Sequence, residues 1–363
     1  MYRVNVICMK KYLILGGFVA ASVWYSCSSD NSGKAKMSAE EAKAEQDLLA
    51  QAQGVFKTLP TVAENPENPI SDEKVKLGRM LYFDTRLSKT GNNSCNSCHN
   101  LATFGVDNKP TSPGDAGKNG DRNSPTVFNA ALHIAQFWDG RAKDVEEQAG
   151  GPVLNPVEMA LPDKKFCVDK LSKVEGYQTA FKAAFPNDKE AITYDNMTKA
   201  IAAFERKLIT PSKFDDYLKG NTEALSKEEK AGMTTFINSG CTACHSGALL
   251  GGTQFMKFGL INDYHALTGS STKDLGKMAL TKNEADKDVF KVPSLRNITK
   301  TAPYFHDGSV AELSKAIKVM GKTQLNKDLT DAEVSSIITF LDALTADIPE
   351  DMKTAPKELA ELK

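Results

Sequence analysis

The chain has 363 residues, which is enough for two domains with full cores. Hydrophobic residues make up 41% and charged residues 25%, as in an ordinary globular protein, and the formal net charge is -1. Residues 1–27 hold three basic residues and no acidic ones, so the rest of the chain has 42 basic residues against 46 acidic. A nucleic-acid-binding protein would carry a basic face, and this balance argues against that class.

Residues 1–27 resemble a secretion signal. Two lysines at positions 10 and 11 precede an apolar run over 12–25, which is too short for a comfortable membrane-spanning helix. Cys27 then lies in a Ser-Cys-Ser-Ser context similar to a bacterial lipoprotein junction, although the aromatic pair just before it is unusual there. The alternative is cleavage of the signal near the same place without attachment of a lipid. Either way we expect export to the periplasm, with a lipid anchor at Cys27 in the first case.

The composition of residues 28–47, rich in Ser, Lys, Glu and Ala, predicts a flexible tether. After the tether, apolar periodicity predicts a mainly α-helical protein. The helix predicted over 193–209 has an apolar face made of Met197, Ile201, Phe204 and Leu208. Three capping boxes predict further helix starts, at Ser226 with Glu229, Ser309 with Glu312, and Thr330 with Glu333. Long irregular loops are expected over 105–123 and 247–293, where they would wrap a cofactor or form a binding surface.

Two copies of one short motif carry the chemistry. In an exported chain, two cysteines separated by two residues and followed by histidine are typical of covalent c-type haem attachment, with the histidine as axial ligand of the iron. The residues concerned are Cys95, Cys98 and His99 in the first copy, and Cys241, Cys244 and His245 in the second. A thioredoxin-like redox pair or half of a zinc site is the alternative, but neither requires a histidine after each pair. We therefore predict two covalent haem c groups.

One haem for each half suggests a division into domains. We expect an N-terminal haem domain over 48–212, a C-terminal haem domain over 213–350 and a tail over 351–363, with residues 211–220 as the boundary. The fold class expected is thus mainly α, with two cytochrome c-like haem domains and long irregular loops. Among the other cysteines, Cys8 falls in the leader and Cys167 is expected to be a small buried hydrophobic residue.

Beyond the haem motifs, several longer stretches resemble the bacterial dihaem cytochrome c peroxidases, in the superfamily that also contains MauG-like proteins. The stretches are Arg-Asn-Ser-Pro-Thr-Val-Phe-Asn-Ala at 122–130, Gln-Phe-Trp-Asp-Gly-Arg at 136–141, Gly-Pro-Val-Leu-Asn-Pro-Val-Glu-Met at 151–159, Pro-Ser-Leu-Arg-Asn at 293–297 and Ala-Pro-Tyr-Phe-His-Asp-Gly-Ser at 302–309. The resemblance extends over about residues 50 to 345.

The resemblance implies different roles for the two haems. The N-terminal haem, held by His99, would be the low-potential site where peroxide binds. The C-terminal haem, held by His245, would be the high-potential site that receives electrons, with Met320 as its second axial ligand. A thioether ligand favours ferrous iron and raises the potential, which agrees with that role.

The resemblance also implies roles for residues around the haems. Glu158 matches the acid that moves a proton during peroxide cleavage, Gln148 the residue that positions the peroxide, and Trp138 the electron route between the haems. The remaining matches are a calcium site formed by Asn123, Thr301 and Pro303, and His306 near the electron-entry haem. His265 matches no motif and is expected to be a loop residue.

One position departs from the family pattern. Most members have a histidine in the loop after the first haem motif, which caps the peroxide-site iron until the other haem is reduced; here that position is Asp115. A carboxylate is a poor ligand for haem iron, and glycines flank it in the loop. We therefore predict an N-terminal haem that is open without reductive activation. His133 is the nearby alternative ligand, although its apolar neighbours favour a packed residue.

The function expected from the resemblance is reduction of hydrogen peroxide to water. Electrons would come from a small periplasmic cytochrome c or cupredoxin, and the family usually forms homodimers. A MauG-like oxidase acting on a protein or small molecule, and a dihaem electron carrier without catalysis, are the alternatives. Met320 argues against the oxidase, which has a tyrosine ligand at that position, and Glu158 with Gln148 argues against the carrier.

Overall fold

Helices form most of the regular structure, as predicted. A computed structural model describes residues 38–271 and 273–362 of the chain. No helix within these ranges is both long enough and apolar enough to cross a membrane. The α-helices are α1 Ala39–Val55, α2 Asp72–Phe83, α3 Cys95–Cys98, α4 Val145–Leu154, α5 Lys164–Ser172, α6 Glu175–Ala184, α7 Tyr194–Glu205, α8 Lys213–Leu218, α9 Lys227–Asn238, α10 His265–Thr268, α11 Met278–Thr281, α12 Leu313–Leu325, α13 Asp331–Asp342 and α14 Lys357–Glu361.

The described chain starts with helix rather than with extended linker. Because α1 begins at Ala39, the last part of the expected tether, residues 39–47, is helical. The expected signal peptide over 1–27, including Cys8 and Cys27, lies outside the described residues.

A first hydrophobic core is built from α2 and from α4 to α7. Helices α2 and α7 cross at Gly78, where any Cβ would overlap the carbonyl oxygen of Ala200, so glycine is what permits this close approach. Cys167 is buried in the same core, as expected, and its burial raises the pKa of the thiol to about 12. Helix α7 ends at Glu205, before the predicted end at 209, although Leu208 is still fully buried.

A second core is built from α8, α9 and α13. It repeats the crossing of the first core, because a Cβ on Gly232 of α9 would overlap the carbonyl oxygen of Ser336 on α13. In both halves the haem motif follows the first helix of the crossing pair in the chain and precedes the second helix. The two halves therefore share one arrangement, in which a glycine brings two helices together around a haem motif.

The predicted capping boxes are confirmed at two helices and wrong at the third. The reciprocal bonds of Ser226 with Glu229 begin α9, and those of Thr330 with Glu333 begin α13. Helix α12 instead begins at Leu313, with Glu312 itself as the N-cap residue. The backbone N–H of Ser309 donates to the Asp307 carboxylate at 3.1 Å, so this serine belongs to a turn before the helix.

The ends of the chain cross between the cores. Ala52 and Phe56, at and just after the end of α1, pack in the second core with α8, α9 and α13. Ala346 and Ile348, which follow α13, pack in the first core. Each core is therefore completed by the opposite end of the chain, and a cut at residues 212 and 213 would leave both incomplete.

The loop over 247–293 is more regular than expected. It contains α10, α11 and two short antiparallel strands, β1 Phe255–Lys257 and β2 Val289–Lys291. The backbone N–H of Lys291 also donates to the carbonyl of Trp138 at 2.8 Å. This bond ties the second half of the chain to the segment that follows the first haem motif.

Candidate functional site

The cysteines of the first haem motif lie on a single helical turn, α3. Hydrogen bonds hold both the backbone and the ring of the histidine that follows it. The His99 backbone N–H donates to the Cys95 carbonyl at 2.9 Å, and the Tyr82 hydroxyl donates to the His99 carbonyl. The His99 Nδ1 lies 2.9 Å from the carbonyl oxygen of Pro125. That contact assigns the ring proton to Nδ1 and leaves Nε2 as the atom able to bind iron.

The second haem motif shows the same orientation of its histidine. The His245 Nδ1 lies 2.8 Å from the carbonyl oxygen of Leu250, which again leaves Nε2 for a metal. Burial lowers the pKa of His99 and of His245, so both rings are neutral, as an iron ligand must be. Two chain segments with different local structure thus present equivalent imidazoles.

Each motif lines its own cavity. The N-terminal cavity, of about 770 Å³, is lined by Cys95, Cys98 and His99. The C-terminal cavity, of about 230 Å³, is lined by Cys241, Cys244 and His245. Two thiols and one imidazole nitrogen lining one cavity are what covalent attachment of a c-type haem requires, so the residues present fit one haem in each cavity.

Met320 lines the C-terminal cavity together with His245. It lies on α12 and packs with a cluster of aromatic and aliphatic side chains that includes Phe258, Phe290 and Val319. The placement suits a thioether ligand in an apolar pocket. Met256 lines the same cavity and is the other methionine there among the described residues.

Glu158 and Gln148 line the N-terminal cavity. Gln148 lies on α4, and Glu158 lies in the turn after it, where its backbone N–H donates to the Asn155 carbonyl at 3.0 Å. Burial raises the pKa of the Glu158 carboxyl, while the charge of Arg141 and a hydrogen bond from Asn155 act in the opposite direction. The result is an acid whose pKa lies above its ordinary value beside the cavity, which suits proton transfer.

Arg141 is a site residue that sequence reasoning did not assign. It lines the same cavity as Glu158, stacks 3.4 Å from the ring centroid of Phe137 and pairs with Asp139 at 3.1 Å. The motif at 136–141 contains it, but nothing in the spacing shows that the turn brings its charge towards a carboxylate 17 residues later.

Glu205, at the end of α7, is a second unassigned residue of the N-terminal cavity. Burial, together with the charge of Glu146, raises the pKa of its carboxyl to about 8. In sequence it is one more residue of an amphipathic helix, so no local signal could have identified it.

Asp115 does not line either cavity. Its carboxylate accepts hydrogen bonds from Thr90, through backbone N–H at 2.8 Å and hydroxyl at 2.9 Å, and from the Asn92 backbone at 3.3 Å. Burial acts to raise the pKa of this carboxyl, but the hydrogen bonds outweigh it and the pKa is lowered. The neighbouring Gly114 lies against the carbonyl of Val157, where a Cβ would not fit.

His133 is the one histidine besides His99 that lines the N-terminal cavity among residues 38–271 and 273–362. Its Nδ1 lies 2.6 Å from the Nζ of Lys291. The side chain is thus engaged by a lysine rather than free to move.

Trp138 lines both cavities. Its indole N–H donates to the carbonyl of Asn123 at 2.9 Å, and its ring lies edge-on to His306, with centroids 6.5 Å apart. The ring is therefore fixed in the wall that separates the two cavities.

The residues of the expected calcium site all line one of the two cavities. Asn123, Thr301 and Pro303 all line the C-terminal cavity, and they offer amide, hydroxyl and carbonyl oxygens, the ligand type that calcium prefers. No cluster of three or more His, Cys, Asp or Glu residues suited to a metal occurs in the described part of the chain. The donor set fits a hard ion held by neutral oxygens.

The last two histidines differ in environment. His306 is buried, stacks on Phe290 with centroids 4.2 Å apart and lines the C-terminal cavity. His265 begins the short helix α10 and pairs with Asp263 at 2.7 Å, away from both cavities.

These features define a dihaem oxidoreductase, and the comparisons assign the class. A profile described as "Di-haem cytochrome c peroxidase" matches residues 72–223. The chain is 46% identical to the cytochrome c551 peroxidase of Pseudomonas aeruginosa, over 83% of this chain and 87% of that one. It therefore belongs to the family of di-haem cytochrome c peroxidases, which are peroxidase-type oxidoreductases.

Two further relatives agree. The cytochrome c551 peroxidase of Nitrosomonas europaea is 46% identical, over 80% of this chain and 84% of that one. Among solved structures, a MauG-like protein associated with microbial copper homeostasis is similar with a TM-score of 0.73 and 30% identity, over 83% of this chain and 97% of that one.

Proposed function

We propose that this protein reduces hydrogen peroxide to two waters, taking up two protons and two electrons that arrive one at a time. The observation that carries the proposal is the lining of the N-terminal cavity. It joins an acid whose pKa is raised by burial, Glu158, to an amide, Gln148, in the cavity of His99. An electron carrier without catalysis has no use for this combination.

Haem iron, when bound, supplies the site for O–O cleavage and the electrons. The protein supplies the proton transfer. The Glu158 carboxylate accepts a proton from the incoming peroxide and returns it to the departing oxygen, so one group serves as base and then as acid. Gln148 orients the peroxide through its amide, and the charge of Arg141 favours the ionised form of Glu158, against the effect of burial.

Electrons enter at the C-terminal cavity in this proposal, where His245 and Met320 hold a high-potential haem. Trp138, fixed in the wall that lines both cavities, is the route to the N-terminal haem. The donor is a small periplasmic cytochrome c or cupredoxin. Each core is a cytochrome c-like haem domain, and the protein works as a homodimer in the periplasm, attached by a lipid at Cys27.

The N-terminal haem is open before reduction in this proposal. Asp115 supports it, because its carboxylate is bound to Thr90 and Asn92 and does not line the cavity. His133 supports it as well, because its Nδ1 contacts Lys291. Mixing the fully oxidised protein with peroxide in a stopped-flow spectrometer tests the point. A fast Soret change supports an open site, whereas a change only after one-electron reduction means that another ligand gates the iron.

A calcium ion bound by Asn123, Thr301 and Pro303 belongs to the same proposal. Its support is that the three residues line one cavity wall with neutral oxygens. Removing calcium with a chelator should then slow electron transfer between the haems, and re-adding calcium should restore it. A protein that contains no calcium by elemental analysis and transfers electrons at full rate would exclude the site.

Replacing Glu158 tests the proposed activity most directly. Glu158→Gln keeps the size and removes the base, so turnover of peroxide should fall by roughly 10²- to 10⁴-fold while both haem spectra persist. Glu147→Gln is the matched control, because Glu147 is exposed on α4 and does not line the cavity. Equal turnover in the two variants would exclude Glu158 as the proton-transfer group, and a wild-type protein that carries electrons without turning over peroxide would favour the electron carrier.

A MauG-like oxidase is the second candidate, favoured by the similarity to the MauG-like protein of solved structure. The two activities differ in what consumes the oxidising equivalents. A peroxidase oxidises two reduced cytochromes per peroxide, whereas such an oxidase would consume peroxide with an organic substrate and leave the cytochrome reduced. Measuring that ratio with the wild-type protein separates them.

A further inference from the structure

The wall between the two cavities contains a basic pair that neither the haem motifs nor the proposed reaction uses. His133 and Lys291 each line both the N-terminal and the C-terminal cavity. His133 follows a helical turn after the first haem motif, and Lys291 is the last residue of β2, so the two halves of the chain meet at this pair.

Lys291 is a buried cation without an anionic partner in the described part of the chain. Its exposed fraction is 5%, and its ammonium contacts His133 rather than a carboxylate. The arginines that line the same cavities are different, because Arg122 pairs with Asp274 at 2.6 Å and Arg296 pairs with Asp215 at 2.5 Å. Burial lowers the pKa of Lys291 to about 8, because it disfavours the charged form.

His133 provides a second unsatisfied donor. Because the Lys291 ammonium donates to Nδ1, the proton of the neutral ring is on Nε2. That Nε2 is buried and has no hydrogen-bond partner in the protein. Burial and the neighbouring charge of Lys291 both lower the pKa of His133, which keeps the ring neutral. A buried N–H without an acceptor destabilises the folded protein, so a ligand that accepts a hydrogen bond from it would be stabilising.

A cation and an adjacent N–H donor, enclosed by largely apolar cavities, match a carboxylate. Each haem carries two propionate carboxylates, and the residues around both cavities fit haem. We propose that His133 and Lys291 bind a haem propionate in the wall between the cavities. The pair compensates the charge of the propionate.

The position of the pair gives this contact a consequence for electron transfer. The Lys291 backbone N–H donates to the carbonyl of Trp138, so the propionate is anchored beside Trp138, which also lines both cavities. A positive charge next to a propionate disfavours the ferric state, which carries one more positive charge than the ferrous state. The pair therefore raises the potential of the haem that it holds.

The test is a spectroelectrochemical titration of both haems in the holoprotein, without peroxide or donor, so that the proposed activity does not enter. Lys291→Met should shift the midpoint potential of one haem downwards, and Lys291→Arg, which keeps the charge, should restore most of the shift. Lys287→Met is the matched control, an exposed lysine near the start of the same strand, and should leave both potentials unchanged. Unchanged potentials in Lys291→Met would overturn the proposal.

Two further arms cover the remaining outcomes. His133→Leu should shift the same haem downwards by less than Lys291→Met, and His133→Gln, which keeps an N–H donor, should shift it least; this series decides the question if Lys291→Met does not load haem. Titrating the wild-type protein with acetate distinguishes the source of the carboxylate. Potentials independent of acetate support a propionate, whereas potentials that follow the acetate concentration mean that the pair holds an exchangeable anion and the proposal is wrong.

Discussion

The two cavities present the same ligand in the same way and then diverge. His99 and His245 both have Nδ1 bonded to a backbone carbonyl, with their motif cysteines beside them. The N-terminal cavity then adds Glu158 and Gln148, whereas the C-terminal cavity adds a methionine among aromatic side chains. The two cavities therefore share the motif that would attach a haem and differ in the other side chains that line them.

The two halves also differ in the segment that carries the residue expected to lie over the iron. In the N-terminal half, a loop is docked by the Asp115 hydrogen bonds and by the contact of Gly114 with Val157, which keeps side chain 115 out of the cavity. In the C-terminal half, a regular helix, α12, places Met320 in the cavity. In the first half the side chain at position 115 is held by its own loop, whereas in the second half a helix brings a methionine to the cavity lining.

Asp115→His should give the N-terminal haem a second axial ligand, as Met320 would give the C-terminal haem. We expect the largest effect from this substitution. Histidine cannot accept the three hydrogen bonds that hold the carboxylate, so the loop is released and the imidazole reaches the iron. Oxidised protein should become low-spin and six-coordinate. With the ligand bound in 99% of molecules, reaction with peroxide would slow roughly 100-fold until the C-terminal haem is reduced.

Asp115→Asn is the control for that experiment, because it weakens the same hydrogen bonds without supplying a ligand. It should remain five-coordinate and react with peroxide before reduction. A histidine variant with an unchanged high-spin spectrum would show that position 115 cannot reach the iron.

Met320→Leu should make the second cavity resemble an open one, with a somewhat smaller effect. Loss of the thioether should lower the potential of the C-terminal haem by something on the order of 0.1 V, within the roughly 0.8 V range that axial ligands control. Turnover with a cytochrome donor should fall with it. Met256→Leu is the comparison within the same cavity, and a larger shift there would mean that the wrong methionine has been assigned.

Arg141→Gln removes a positive charge near Glu158 in the N-terminal cavity. Its expected effect is smaller than that of Asp115→His or Met320→Leu. Burial holds the pKa of Glu158 above its ordinary value, and Arg141 opposes that by favouring the ionised form. Removing the arginine raises the pKa further, so at acidic pH less carboxylate is available as a base. The acidic limb of the turnover profile should move to higher pH, and activity well above the pKa should be unchanged.

The size of that shift should be less than about one pH unit, because the Arg141 side chain is 39% exposed and solvent screens its charge. Arg141→Lys should return the limb towards the wild-type position. A uniform loss of turnover at every pH would indicate that the arginine acts through its packing on Phe137 instead.

Features encoded in adjacent residues could be predicted from the sequence. The haem motifs, the helical character and the capping boxes at Ser226 and Thr330 rest on spacings of three or four residues, and they appear in the structure. The box predicted at Ser309 was wrong because Asp307 is a competing partner for its backbone N–H, and spacing alone does not rank two acceptors.

Features that depend on distant pairs could not be predicted. Lys291 meets His133 across 158 residues, and Arg141 approaches Glu158 through a turn whose path no local pattern specifies. The family resemblance implied roles for Glu158, Gln148 and Met320; the first two line the N-terminal cavity and Met320 lines the C-terminal one, and their roles stay predictions. It did not supply the hydrogen bonds of Asp115, since those bonds belong to a position where this chain departs from the pattern.

The crossing of the chain ends has a consequence for how the protein is assembled. Phe56 is not buried until α8, α9 and α13 have been made, and the first core receives Ala346 and Ile348 only after α13. Neither half can finish folding by itself, so the two cores are expected to lose structure together on unfolding. Both haem motifs therefore lie in incompletely packed cores until residues 346–348 have joined the first core.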